Sequence, residues 1–215
     1  MNTKLDTKCL FLFATPVITV VLDNYASLNE SLLAKIYDQE RTDAGLQKSN
    51  FGGWHSKDDM MAWAPQESSA ILKTAIASIT PYTSDVHPTG KRDFEFDANM
   101  WANINRKGHA NNGHIHSGCL WSGAYYVDSG HEGETYVGGE FIVEDPRFPM
   151  NTMYMPSLVT RGQDGKPQST QHSIKPKSGM MVLFPSWLRH SVRPYLGDKD
   201  RISVAFNLMV NEVTD

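Results

Sequence analysis

The segment NNGHIHSG sets His114 and His116 two residues apart among turn-forming residues. On an extended strand side chains alternate between faces, so both imidazoles project the same way while Ile115 points oppositely. Two imidazoles on one face can reach one metal ion. Paired surface histidines on a hairpin give the same pattern, so a metal reading needs a third ligand. Among the other histidines His190 stands out, because it lies in LFPSWLRHSVRPY just beyond an apolar strand, with Arg201 eleven residues later on another strand. That last strand, RISVAFNLMV, has Ile202, Val204, Phe206 and Leu208 on one side and Arg201, Ser203, Ala205 and Asn207 on the other. The polar side either meets water or lines the cavity of a small barrel. In the second case Arg201 is a partly buried cation wanting an anion, and a polar barrel interior implies a ligand.

What must position these groups is a strand-rich scaffold, and the bulk of the chain allows one. Its 215 residues suit one domain with a sizeable core. Apolar residues at 40% and charged residues at 20% describe a globular protein, and a net charge of -4 leaves no electrostatic footprint for nucleic acid. Cys9 and Cys119 are the only cysteines, too few for a disulfide framework and in keeping with a reducing, cytoplasmic setting. The segment CLFLFATPVITVVL follows two lysines in the order of a signal peptide. It is too short to span a bilayer, Pro16 interrupts it, and its β-branched residues predict a buried strand pair.

From Ser27, SLNESLLAKIYDQE predicts a helix with a serine cap, Glu30 three residues on, and Leu28, Leu32, Leu33 and Ile36 at helical spacing. SNFGGWHSKDDM reads as loop, and QESSAILKTAIASI as a second helix that stops before Pro81. Strands then take over. RDFEFDANMWANIN puts Phe94, Phe96, Ala98, Met100, Ala102 and Ile104 on one face and Asp97, Asn99, Trp101, Asn103 and Asn105 on the other. SGAYYV, GGEFIVED, GMMVLFP and RISVAFNLMV follow as short strands. The expectation is an α+β, mainly β chain whose strands form a sandwich or barrel, with two N-terminal helices packed on one sheet.

The order of an H-x-(D/E)-like site, an aromatic strand, a GG-x-x strand, a late histidine and R-x-S resembles the double-stranded β-helix, a jelly-roll, cupin-like barrel, of iron(II) and 2-oxoglutarate-dependent dioxygenases. More narrowly, SNFGGWHS, HIHSGCLWSGAYYV, the DPR at 145–147, LFPSWLRH and RISVAFN resemble the "putative 2OG-Fe(II) oxygenase" family of bacteria and phages. The resemblance covers nearly the whole chain as a single domain 1–215, with N-terminal support over 1–90 and the β-helix core over 91–215. It implies Fe(II) held by His114 and His190, with 2-oxoglutarate as cosubstrate. Arg201 would grip the far carboxylate, Ser203 would add a hydroxyl, Tyr126 would touch the same molecule, and Asn105 and Asn207 would fall near it.

One departure is plain: where the family motif has an acid two residues after His114, this chain has His116. Three arrangements compete. They are a site of His114, His116 and His190; a register in which His116 and His190 bind iron with an acid such as Asp145, placing Gly118 at the acid's usual position; and a site without a third protein ligand. The three-histidine set is preferred, since a same-face pair is ready-made for a facial triad. Asn103 or Asn105 would accept hydrogen bonds from the ligating rings. His55, Asp145 and Arg147 are expected to border the substrate, whereas Trp54, Trp101 and Trp187 are expected to be packing residues.

The reaction implied is oxidation of 2-oxoglutarate to succinate and carbon dioxide with hydroxylation of a small molecule, peptide or protein side chain. The rivals are a three-histidine cupin-type dioxygenase that needs no cosubstrate and a noncatalytic jelly-roll binding module. Exposed sheet edges make a homodimer an expectation.

Overall fold

A computed structural model of the chain describes residues 9–86, 94–131, 135–153, 155 and 157–212. In chain order the elements are β1 (Ile18–Val21), α1 (Tyr25–Thr42), β2 (Asn50–Phe51), β3 (Trp54–His55), α2 (Met60–Trp63), α3 (Pro65–Ile79), β4 (Phe94–Asn105), β5 (Ala110–His114), β6 (Trp121–Asp128), β7 (Phe141–Glu144), β8 (Gln171–Ile174), β9 (Met180–Pro185), β10 (His190–Val192) and β11 (Arg201–Glu212). They form two antiparallel sheets, of order β1-β9-β6-β11-β4-β3 and β2-β5-β10-β7-β8. This is the mainly β architecture that the strand pattern predicts, in the double-stranded β-helix form that the family resemblance implies. Arg92 and Asp93, read as the start of the β4 strand, lie outside the described residues.

The larger sheet has two unlike faces because β4, β6 and β11 alternate strictly. Met100, Ala102, Ile104, Tyr125, Val204, Phe206 and Leu208 join the main core with Leu32 and Ile36 of α1 and Ile71, Ala75 and Ile79 of α3. The helical residues recur at intervals of four, which stacks them on one stripe. Full burial of a leucine or isoleucine contributes about 1.5–3 kcal/mol, so the two stripes together fasten both helices to the sheet. Polar contacts fix the docking of α1: Asn29 Nδ2 donates to the Val127 carbonyl at 2.6 Å, and the Tyr125 hydroxyl donates to Asn29 Oδ1 at 2.6 Å. Tyr125 thus faces the helices and Tyr126, one residue on, faces the space between the sheets.

Several local expectations are corrected. Of the apolar N-terminal segment only Ile18–Val21 is a strand, paired with β9 at the sheet edge, while Leu10, Leu12 and Phe13 are 65%, 64% and 90% exposed. Pro16 cannot donate to a ladder, and the strand begins only beyond it. Helix α1 begins two residues before Ser27, after a left-handed Asn24, and Ser27 Oγ donates to the Asn24 carbonyl instead of capping. SNFGGWHS is not simple loop. Its Asn50–Phe51 pairs with β5 in one sheet and its Trp54–His55 with β4 in the other. Gly52 and Gly53, at φ +65° and +74°, turn the chain between them, a conformation open to glycine and costly to residues with a Cβ.

Candidate metal centre and cosubstrate cavity

Between the sheets lies a cavity lined by His114, His116, His190, Trp101, Asn103, Tyr126, Phe141, Phe184, Arg201 and Ser203, among others. The histidines come from two adjacent strands. His114 ends β5, His190 begins β10, and the two are direct cross-strand partners with ring centroids 4.3 Å apart. His116 lies beyond the end of β5, where its backbone N–H donates to the Ser186 carbonyl at 2.9 Å. One ligand atom from each ring lies within 4.8 Å of those of the other two. The sequence-adjacent pair and the distant third histidine therefore converge.

Hydrogen bonds set the tautomers. His114 Nδ1 lies 2.8 Å from the Asn112 carbonyl and His190 Nδ1 lies 2.9 Å from the Leu188 carbonyl. A carbonyl only accepts, so each Nδ1 carries the proton and, in the neutral ring, Nε2 is a bare donor atom for a metal. These backbone partners replace the expected Asn103 and Asn105: each is the carbonyl two residues before its histidine, Asn112 within β5 and Leu188 in the turn before β10. Burial pushes all three imidazoles below their usual pKa, His116 to about 4 and His190 to about 3, with the neighbouring His114 adding to the effect on both. At neutral pH the cluster is uncharged. His116 Nε2 and His190 Nε2 approach to 3.2 Å, which two lone pairs tolerate only with a proton or a cation between them. The donor set fits iron(II), for which three protein ligands on one face leave positions free for substrates.

Arg201 opens β11 and is 1% exposed, with no ion pair among the described residues. Its guanidinium carbon stands 5.1 Å from the centre of the Tyr126 ring. Arg201 Nε and the Tyr126 hydroxyl are both buried without a hydrogen-bond partner. A buried cation and a buried hydroxyl in that state want an anionic acceptor. Ser203, on the same strand face, lines the same cavity. Gly139 packs against Arg201: a Cβ there would come within 3.0 Å of Cδ and Nε.

Not every predicted site residue arrives. Asn207 lies six residues from Arg201 along β11, roughly 20 Å at about 3.3 Å per residue, beyond reach of one five-carbon ligand; its Oδ1 accepts from Ser122 Oγ at 2.8 Å. Asn105 is Arg201's partner across the ladder and buried, yet it does not line the cavity. His55 is 3% exposed, held at Nδ1 by the Ser56 carbonyl and stacked on Trp101 at 5.4 Å, so it stands behind that ring instead of bordering the cavity. Asp145 and Arg147 bind each other, with Arg147 Nη2 to Asp145 Oδ2 at 2.7 Å, and line a separate open groove beside Leu10–Phe13. Asp145 does not join the histidine cluster, which removes the register that drew its acid from DPR.

Three aromatic residues were not anticipated as parts of the site. Trp101 lines the cavity with its ring 5.9 Å from that of His116, and Phe184 and Phe141 flank His190 at 4.5 and 5.3 Å. The signal for Trp101 was present, since it shares the inward face of β4 with Asn103.

Residues 99–207 match the sequence model of the family described as "Putative 2OG-Fe(II) oxygenase". No curated protein matches the chain. Among solved structures it is similar to a Pseudomonas putida prolyl-4-hydroxylase, at 14% identity over 91% of this chain and 92% of that one with a TM-score of 0.57. A prolyl hydroxylase from Trichoplax adhaerens, in complex with a hypoxia inducible factor peptide fragment, gives 13% identity, 89% and 83% coverage and a TM-score of 0.57. HygX from Streptomyces hygroscopicus with nickel, 2-oxoglutarate and hygromycin B bound gives 16% identity, 91% and 83% coverage and 0.57. At these identities the likeness establishes the fold. No helix among the described residues is long and apolar enough to cross a membrane.

Proposed function

We propose, from the premise that this chain belongs to the "Putative 2OG-Fe(II) oxygenase" family and is therefore an oxidoreductase of that class, that it hydroxylates a small molecule or a peptide or protein side chain. In this reading His114, His116 and His190 hold iron(II) through their inward nitrogens. Arg201, Ser203 and Tyr126 hold the far carboxylate of 2-oxoglutarate. The observation that carries it is the pairing, in one cavity, of three converging neutral imidazoles with a buried guanidinium whose Nε has no hydrogen-bond partner and which has no ion pair among the described residues.

Each group has a physical task. The depressed basicity of the histidines leaves them deprotonated at neutral pH, so metal capture need not first expel protons. Arginine offers a planar fork that matches a carboxylate, and such charge-assisted bonds are roughly twice as strong as neutral ones. The Tyr126 and Ser203 hydroxyls donate to the same anion. Trp101, Phe141 and Phe184 wall the histidines with apolar surface, which excludes water and strengthens the electrostatic contacts inside. When bound, iron supplies the activation of dioxygen, with one oxygen atom entering succinate as carbon dioxide leaves and the other entering a C–H bond of the substrate.

Structures of like fold hold a peptide fragment in one case and hygromycin B in another, which supports both substrate classes. The two cysteines are unpaired, in keeping with the proposed cytoplasmic setting. A second reading, a three-histidine dioxygenase without cosubstrate, is favoured by the all-imidazole ligand set but leaves the buried Arg201 without an anion. The test is iron content after anaerobic purification together with 2-oxoglutarate-dependent succinate formation, in the parent protein and in His190→Ala. The expected result is stoichiometric iron and succinate in the parent and loss of both in the variant. Bound iron with no succinate would favour the cosubstrate-free reading, and no specific iron would overturn both.

A further inference from the structure

Among the described residues no aspartate or glutamate joins the cluster. The charged side chains whose fields reach it are Lys48, felt at His116, and Arg189, felt at His114. Each of these cations is itself paired with a carboxylate, Lys48 with Asp58 and Arg189 with Glu144, and Asp145 is held by Arg147 and Asn151, so no carboxylate is free to serve the cluster. Lys48 stands at the rim, its Nζ 5.9 Å from the centre of the Trp101 ring and its side chain 46% exposed, and the adjacent Ser49 lines the cavity.

The consequence rests on the assignment of iron and 2-oxoglutarate made above. The charge of a ferrous ion cancels that of the 2-oxoglutarate dianion, and the guanidinium of Arg201 then leaves one positive charge in the cavity. A carboxylate among the ligands would neutralise it, but three imidazoles do not. Uncompensated charge behind apolar walls is costly unless an anion meets it. We propose that this anion arrives with the substrate: the site takes a molecule whose group nearest the three histidines is a carboxylate, drawn in past Lys48.

The probe is sodium formate, with formamide as its neutral isostere, titrated anaerobically into the cobalt(II)-loaded full chain at saturating 2-oxoglutarate and read in the visible cobalt bands. Formate should perturb the bands saturably, with an affinity at least tenfold above that of formamide. His116→Asp, which places the missing charge in the ligand set, should weaken formate at least tenfold. Lys48→Glu, at an exposed position, should weaken it at least fivefold at saturating 2-oxoglutarate. Equal binding of formate and formamide, or no saturable response to either, overturns the proposal. So does an unchanged formate affinity in a His116→Asp variant that holds cobalt; if that variant does not hold cobalt, an unchanged affinity in Lys48→Glu overturns it instead. Failure of 2-oxoglutarate itself to alter the cobalt bands would overturn the proposed function, whereas 2-oxoglutarate binding without a formate response overturns only this inference.

Discussion

Replacing Arg201 with methionine should abolish cosubstrate binding without harming the fold, a combination that a structural arginine would not show. The side chain is 1% exposed, its Nε has no partner, and no carboxylate pairs with it among the described residues. In the ligand-free protein it is therefore a buried cation whose desolvation is offset chiefly by the Tyr126 face at 5.1 Å, a contact that contributes about 1–2 kcal/mol. Methionine keeps much of the apolar stem and removes the charge. The loss of the aromatic contact and the relief of desolvation then oppose each other, and ligand-free stability should stay within about 1 kcal/mol of the parent or rise. For the ligand, two charge-assisted hydrogen bonds at about 1.5–3 kcal/mol each amount to about 3–6 kcal/mol, or roughly 10²- to 10⁴-fold in affinity. Calorimetric titration of 2-oxoglutarate into the zinc-loaded protein measures the affinity, denaturant unfolding measures the stability, and metal content serves as the internal control. Retained 2-oxoglutarate affinity, or a loss of several kcal/mol in the ligand-free fold, would refute the reasoning.

Gly139→Ala should weaken 2-oxoglutarate about tenfold while leaving metal content intact, because the new Cβ presses within 3.0 Å of Arg201 at a backbone φ of +75°; the strained conformation itself costs about 1–2 kcal/mol, visible as a lower melting temperature. Tyr125→Phe removes the bond to Asn29 on the helix side of β6 and should cost about 1–2 kcal/mol in denaturant unfolding, with 2-oxoglutarate affinity unchanged even though the next residue lines the cavity. The metal-free protein should lose stability as pH falls: His190, lowered to about 3 when folded, takes up its proton first in the unfolded chain, near the usual value of about 6.5. Unfolding therefore binds protons between these limits, and the cost at pH 5 relative to pH 7.5 is about 2 kcal/mol. Denaturant midpoints at the two pH values in the parent and in His190→Gln check this, and an unchanged difference in the variant would rule the histidine out as its source.

Much of the scaffold was legible because alternation along a strand is a local, steric property. The two faces of β4 and β11 sort in the structure as their residue types predict, with Met100, Ala102, Val204 and Phe206 toward the helices and Trp101, Asn103, Arg201 and Ser203 toward the cavity. The helical stripe of α3 is local in the same sense. What alternation does not carry is position along the barrel. Asn207 shares a face with Arg201 yet lies six residues away, and Asp145 follows β7 closely but turns out to meet Arg147. Trp101 was read by its size and not by the face it shares with Asn103.

By itself the sequence determined which residue types meet at the cavity, the same-face placement of residues, and the order in which histidines and arginine reach the barrel. Only the tertiary structure decided that His190 lies directly across from His114, that SNFGGWHS is divided between two sheets, and that Arg201 is buried with no ion pair among the described residues. The reason is that side-chain period arises within a few bonds of backbone, whereas register and burial depend on how residues far apart in the chain pack together.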